Sequence, residues 1–448
     1  MTDAPSGGHF ARGCPKVPIL AGMHGTVVSR RIVVCLGVLI VVAIPVALMD
    51  VASTRQVFAN FGAAKRITLP LAYALFTCAA LLPSRLSRDE PRVRPPAWVM
   101  MPAIGIIVSM LGTAFLAPMR STISDVLQGL ALFIGFSFLA WFGLGATDWS
   151  TRQRNALLWL LFAGGLIAGA LGRPGVTPLM TLTIPAFFAG LVMLIRSPGQ
   201  RARYLLVTLV LGVMVIFVLR PPASSVTPVS MAVVGQVIVC AAVVFLLFIP
   251  RALRPPLIFA AVSAALFLFI QRGYYTLLTG QYSSNDVTIA QRAFEARTVL
   301  ERLGTTTWGQ LFGLGPGATV DLAAAPDANT LAASGRDLLA VDDVHLLSAY
   351  LLLKLGAIGI VWSLLVFSAI WKAALPTFGT STAETTWRIV LVLYLAGGAV
   401  NALPAATNLF ANPLVPIFLG VLWAARVRDR SEAVASVAKP PAILQPAS

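Results

Sequence analysis

Residues 227–249 read TPVSMAVVGQVIVCAAVVFLLFI, without one charged side chain. A run of this length crosses the roughly 30 Å hydrocarbon core of a bilayer as a single helix. It is bounded by Arg220–Pro222 on one side and Pro250–Arg254 on the other. Basic residues and helix-stopping prolines are what flank a membrane span.

The same pattern repeats along the chain. Hydropathy places spans at 31–49, 67–83, 97–118, 123–145, 155–172, 177–195, 204–219, 227–249, 255–271, 343–371, 387–405 and 409–425. The composition agrees: 58% of the 448 residues are hydrophobic, 11% are charged, and the mean hydropathy is +0.85. A soluble domain carries about 25% charged residues. The expected fold class is therefore an all-α integral membrane protein of about twelve transmembrane helices, with the lipid bilayer as its solvent.

A net charge of +16 could point to nucleic acid, but the basic residues lie in short loops between apolar runs, as topology signals do. No basic stripe interleaved with aromatic residues is present, which argues against a nucleic-acid partner. Counting alternate loops puts the greater share of the 33 Lys and Arg residues on the side that holds both termini. Both termini are therefore expected in the cytoplasm, as unstructured tails at 1–30 and 426–448. Arg55, Lys65 and Arg66, after the first span, run against that trend. The four cysteines show neither a disulfide framework nor zinc-ligand spacing.

One connection is long. Residues 272–342 separate spans 1–9 (31–271) from the last three (343–425), and they carry about half of the 17 acidic residues. Within this loop, 287–303 (VTIAQRAFEARTVLERL) places apolar residues at helical spacing and charges opposite them. That pattern predicts an amphipathic helix resting on the membrane surface or on the bundle.

Three features carry candidate chemistry. The first is WGQLFGLGPG at 308–317, where Gly313, Gly315 and Gly317 let the backbone turn sharply and approach a ligand closely. It is not a phosphate loop, since no Lys-Ser/Thr follows; a plain turn re-entering the bundle is the competing reading. The second is His345, the one histidine outside the N-terminal tail, at the outer end of a span beside Asp342 and Asp343. Those carboxylates would favour its protonated form and keep a proton available. An interfacial hydrogen-bonding role is the alternative. Lys354, deeper in that span, is expected to face a partner or a water-filled cavity. The third is a set of arginines on the outer side: Arg173, Arg220, Arg292 and Arg297. A guanidinium grips phosphate oxygens with two parallel hydrogen bonds, though at helix ends it also anchors lipid headgroups.

In order and spacing these features resemble the O-antigen ligase and polymerase family of bacterial membrane glycosyltransferases. Gly172-Arg173-Pro174-Gly175 is similar to the turn that opens a central span in that family. Arg292 to Leu303, followed by Leu311-Phe312-Gly313-Leu314-Gly315-Pro316-Gly317, resembles its loop helix and glycine turn. His345, continuing to Leu355-Gly356-Ala357-Ile358-Gly359, resembles its third element, except that Leu346 stands where the family commonly has Asn. The likeness is strongest over about 285–362, while the topology covers the whole chain.

The resemblance implies an enzyme of the inner membrane whose 272–342 loop is periplasmic. Its donor would be an undecaprenyl-diphosphate-linked glycan and its acceptor a glycan or lipid-linked glycan, with no cofactor and no metal. Arg173, with Arg292 or Arg297 and with Arg220 as a helper, would hold the diphosphate. His345, oriented by Asp343, would act as base or position the acceptor. Ligase and polymerase share this architecture, so the acceptor stays open. A transporter or flippase of lipid-linked saccharides without catalysis is the competing class.

Overall fold

The computed structural model describes residues 95–116, 123–144, 151–171, 177–219, 231–258, 260, 263, 287–321, 340–341, 344–374, 383–402 and 414–438. These residues are overwhelmingly helical. The expected spans 31–49 and 67–83, and most of 255–271, lie outside them.

The helices are α1 (Ala97–Leu116), α2 (Ile123–Leu144), α3 (Thr151–Leu171), α4 (Thr177–Arg196), α5 (Arg201–Leu219) and α6 (Met231–Phe245). The long loop contributes α7 (Val287–Leu303) and α8 (Thr307–Phe312), followed by strands β1 (Val320–Asp321) and β2 (Ala340–Val341). The chain then continues through α9 (Leu347–Leu355), α10 (Ala357–Ala374), α11 (Ala383–Ala402) and α12 (Leu414–Ala438).

Helix is what the composition leads one to expect if these apolar runs cross a bilayer, where backbone groups must be satisfied internally. Packing is closest where side chains are smallest. A Cβ added at Gly420 of α12 would stand 2.8 Å from Leu144 N of α2, and one at Gly165 of α3 would stand 2.5 Å from Ala186 Cβ of α4. Such small-residue contacts let the backbones of apolar helices approach one another closely. Thr183 adds a buried hydrogen bond, its hydroxyl donating to Gly165 O at 2.9 Å. Around these contacts α2 packs on α1 and α12, and α11 joins α4, α6 and α12.

The exterior is unusually apolar. Ile216 is 67% exposed, Phe245 65% and Leu364 63%, each on an outward face of its helix. By length and composition two helices of the described residues are candidate membrane crossings, Pro198–Ile216 and Ala357–Ala374. Shorter apolar helices lie at Ala97–Thr113, Gly129–Leu144, Leu157–Leu166, Leu182–Arg196 and Val234–Phe245.

Three expectations need correction. Span 343–371 is not one helix, because α9 ends at Gly356 and α10 starts at Ala357. Gly359 packs against Leu351, its added Cβ lying 2.8 Å from Leu351 O, so the chain turns sharply between them. Hydropathy could not see this, since both halves are apolar. Second, the segment from 426 is no unstructured tail up to Ala438, because α12 continues to that residue. Arg388 of α11 holds it there, donating to Asp429 Oδ2 at 2.5 Å and Oδ1 at 3.0 Å. Third, the all-α expectation omits a minimal antiparallel ladder in the long loop, in which Val320 pairs with Val341 and Asp321 with Ala340.

Candidate functional site: a buried carboxylate holding His345

The site is assembled on α7, the loop helix. Its inward face carries Glu295, Val299 and Leu303, at 1%, 0% and 3% exposure, a spacing that stacks side chains along one stripe. Arg292, one turn earlier on that face, is half-buried. Arg297 and Glu301 point outward and pair with each other, Arg297 Nε donating to Glu301 Oε1 at 2.7 Å. The amphipathic helix expected at 287–303 is therefore present at Val287–Leu303 and packs against α9.

A carboxylate this deeply buried requires partners. Glu295 finds both in one residue. His345 donates its backbone N–H to Oε2 at 2.9 Å, and its ring Nδ1 lies 2.8 Å from Oε1. The imidazole itself is half exposed. His345 stands just ahead of α9, whose N-cap Leu346 supplies no capping side chain. A negative group there also meets the positive end of the helix dipole. Arg292 is the nearby cation: burial pushes its guanidinium pKa down, and the charge of Glu295 pushes it back up. Its Nε is buried without a hydrogen-bond acceptor among the described residues.

The glycine turn is attached at the other end of α9, against Lys354 and Leu355. Thr306 caps α8 by accepting from Gly309 N–H at 3.0 Å, and Gly313 caps its other end, its N–H donating to Gly309 O. Gly313 (φ +78°, ψ −176°) and Gly356 (φ +62°, ψ −148°) occupy backbone space that is essentially reserved for glycine. Gly315 has φ +90°. Gly317 is buried and is not among the glycines with positive φ. Leu314 N–H donates to Leu353 O at 2.8 Å, stitching the turn to α9.

Lys354 completes that attachment. It is 2% exposed, and its Nζ donates to Pro316 O at 2.8 Å and to Ala318 O at 2.7 Å. The expected partner of this buried amine is thus the turn's own backbone. Tyr350 stacks on Phe133 of α2 and places its ring 5.8 Å from the same Nζ.

No family model, curated protein or solved structure matches the chain.

Of the residues singled out in the sequence, the fold puts His345 and Arg292 with Glu295 at the start of α9, and Gly313 in the turn packed against its end. Arg297 faces away from that cluster. Arg173, Arg220 and Asp343 lie outside the described residues. Glu295 went unrecognised in the sequence. The signal was there: on an amphipathic helix, 295 falls in register with Val299 and Leu303, so its carboxylate had to point inward.

Chemically, the cluster offers a cation with an unsatisfied donor, a buried carboxylate, and an imidazole fixed on one side and half open on the other. That set can bind an anion and move a proton next to it.

Proposed function

We propose that the chain is a multi-pass glycosyltransferase of the bacterial inner membrane, of about twelve spans, with both termini cytoplasmic and this site facing the periplasm. It transfers or polymerises glycan from an undecaprenyl-diphosphate-linked donor onto a glycan or lipid-linked glycan, in surface polysaccharide synthesis. The observation that carries the reading is the pairing of His345 with buried Glu295 on the helix that also presents Arg292. The apolar exterior and the resemblance of 285–362 to the O-antigen ligase and polymerase family support it.

In the transfer step the acceptor hydroxyl attacks the anomeric carbon. Its O–H bond breaks as the new C–O bond forms, and His345 takes the proton. The bond from the anomeric carbon to the diphosphate oxygen breaks, and its electron pair leaves on that oxygen. Fixed guanidinium groups stabilise the developing charge. Arg292 serves here, with Arg173 and Arg220 as further diphosphate ligands.

The test is glycan transfer in membranes that contain His345→Ala, Arg292→Ala or Arg173→Ala protein at normal levels. Loss in the first two supports the reading; normal transfer in both His345→Ala and Arg173→Ala overturns it. Removing the protein then separates the subtypes: unattached lipid-linked polymer marks a ligase, single lipid-linked repeat units a polymerase.

A further inference from the structure

We infer that Glu295 is a positioning residue which locks His345 in the Nδ1–H tautomer, so that the lone pair of Nε2 is the one offered to the acceptor hydroxyl. The inference rests on the reading of His345 as the base.

The two contacts are not equivalent. A backbone N–H can only donate, so Oε2 must accept from His345 N–H. Oε1 and Nδ1, 2.8 Å apart, share one proton, and its owner decides the tautomer. With an ionised carboxylate the proton sits on Nδ1, and Nε2 carries the lone pair. With a neutral carboxyl the proton would sit on Oε1, Nδ1 would accept, and Nε2 would carry hydrogen and be useless as a base. Two features favour the ionised form. The Arg292 guanidinium interacts with Glu295 through its charge, and the carboxylate lies where α9 begins, at the positive end of its dipole. The double contact also fixes the ring's direction, since backbone and side chain of His345 are held by one group.

The chain has three histidines, two of them in the N-terminal tail, so nitrogen spectra of full-length protein labelled with 15N-histidine are simple to assign. Solid-state spectra in proteoliposomes, recorded about two pH units above the ordinary histidine range, read the neutral tautomer directly. His345→Gln identifies the signal. The expected result is a protonated Nδ1 and a bare Nε2 in the wild type. In Glu295→Gln the amide oxygen accepts from the backbone and the amide NH₂ donates to Nδ1, so the proton moves to Nε2. Glu295→Asp keeps the carboxylate and the original tautomer. In transfer assays Glu295→Gln lowers kcat by about a hundredfold with little change in donor KM, and Glu295→Asp recovers part of it.

An Nε2–H signal in the wild type, or an unchanged spectrum in Glu295→Gln, overturns the inference. So does full kcat in a Glu295→Gln protein whose tautomer has inverted. If the spectra behave as expected while wild-type protein transfers no glycan, the positioning stands and the glycosyltransferase reading falls.

Discussion

Gly313 and Gly356 meet backbone to backbone. A Cβ on Gly313 would stand 2.5 Å from Leu355 N, and one on Gly356 would stand 2.5 Å from Gly313 N. The turn that leaves α8 and the break that separates α9 from α10 are therefore one joint, built from both sides out of backbone alone. Through this joint the long loop is seated against the helix that begins beside His345.

Replacing either glycine by alanine should loosen the joint. Each substitution must both occupy glycine-only backbone space and push backbone aside, a destabilisation of about 3 kcal/mol or more. Thermal unfolding of purified full-length protein should show both losses, and the double variant should fall short of their sum because the two sites touch. Gly199→Ala is the control, since nothing lies within 4 Å of its added Cβ. If Gly313→Ala and Gly356→Ala melt like Gly199→Ala, the joint is not what holds the loop.

Lys354→Met removes the donor and keeps the stem. The Pro316 and Ala318 carbonyls, on buried residues, would be left without it. The expected cost is about 2–4 kcal/mol, from the buried acceptors left unsatisfied. Limited proteolysis should cut faster near 313–319 in this variant. Wild-type melting and wild-type cleavage together would show that the amine is dispensable to the turn.

How legible was this in the sequence? Helix positions were: residues 97–118, 123–145 and 177–195 were expected as spans, and helices occupy Ala97–Leu116, Ile123–Leu144 and Thr177–Arg196. Hydropathy reports continuous apolar runs well. It cannot report a break inside one, so the joint at Gly356 was hidden between Leu355 and Ala357, although the glycine itself was visible. The α12 extension was hidden for the opposite reason: Arg426, Arg428, Asp429 and Arg430 look like a solvated tail until Arg388 is placed opposite Asp429. At the site, proximity in sequence points to Asp343, which lies outside the described residues. Amphipathic register, which places Glu295 among Val299 and Leu303, adds a second carboxylate beside His345, because burial obliges a carboxylate to find a partner.

Ending the chain after Ala425 tests the α12 extension. Arg388 has a side chain only 9% exposed, and truncation would remove Asp429 while leaving Glu384 Oε1 at 3.2 Å from its Nε. Losing the Asp429 carboxylate from a mostly buried guanidinium should cost about 1–3 kcal/mol. Asp429→Ala alone should reproduce most of that loss in a melting experiment. A truncated protein as stable as the full chain would mean the extension contributes nothing to the fold.

Arg292 and Arg297 sit on one helix, close in sequence and alike in type, so they test whether the proposed site depends on a half-buried arginine rather than an exposed one. Arg297 is 75% exposed at its side chain and pairs with Glu301 a turn away on the same helix. A pair of that kind contributes about 0.3–0.5 kcal/mol, and screening by salt reduces it further. Arg297→Ala should leave both melting and glycan transfer close to wild type. Arg292 is half-buried, interacts with the Glu295 charge and carries a buried Nε without an acceptor. Arg292→Ala should lower transfer about a hundredfold or more, as loss of a fixed transition-state cation does. Arg292→Lys should recover little, because a lysine keeps the charge but loses the fork that grips two phosphate oxygens. Equal transfer by the Arg292→Ala and Arg297→Ala proteins, at equal membrane levels, would remove α7 from the proposed site.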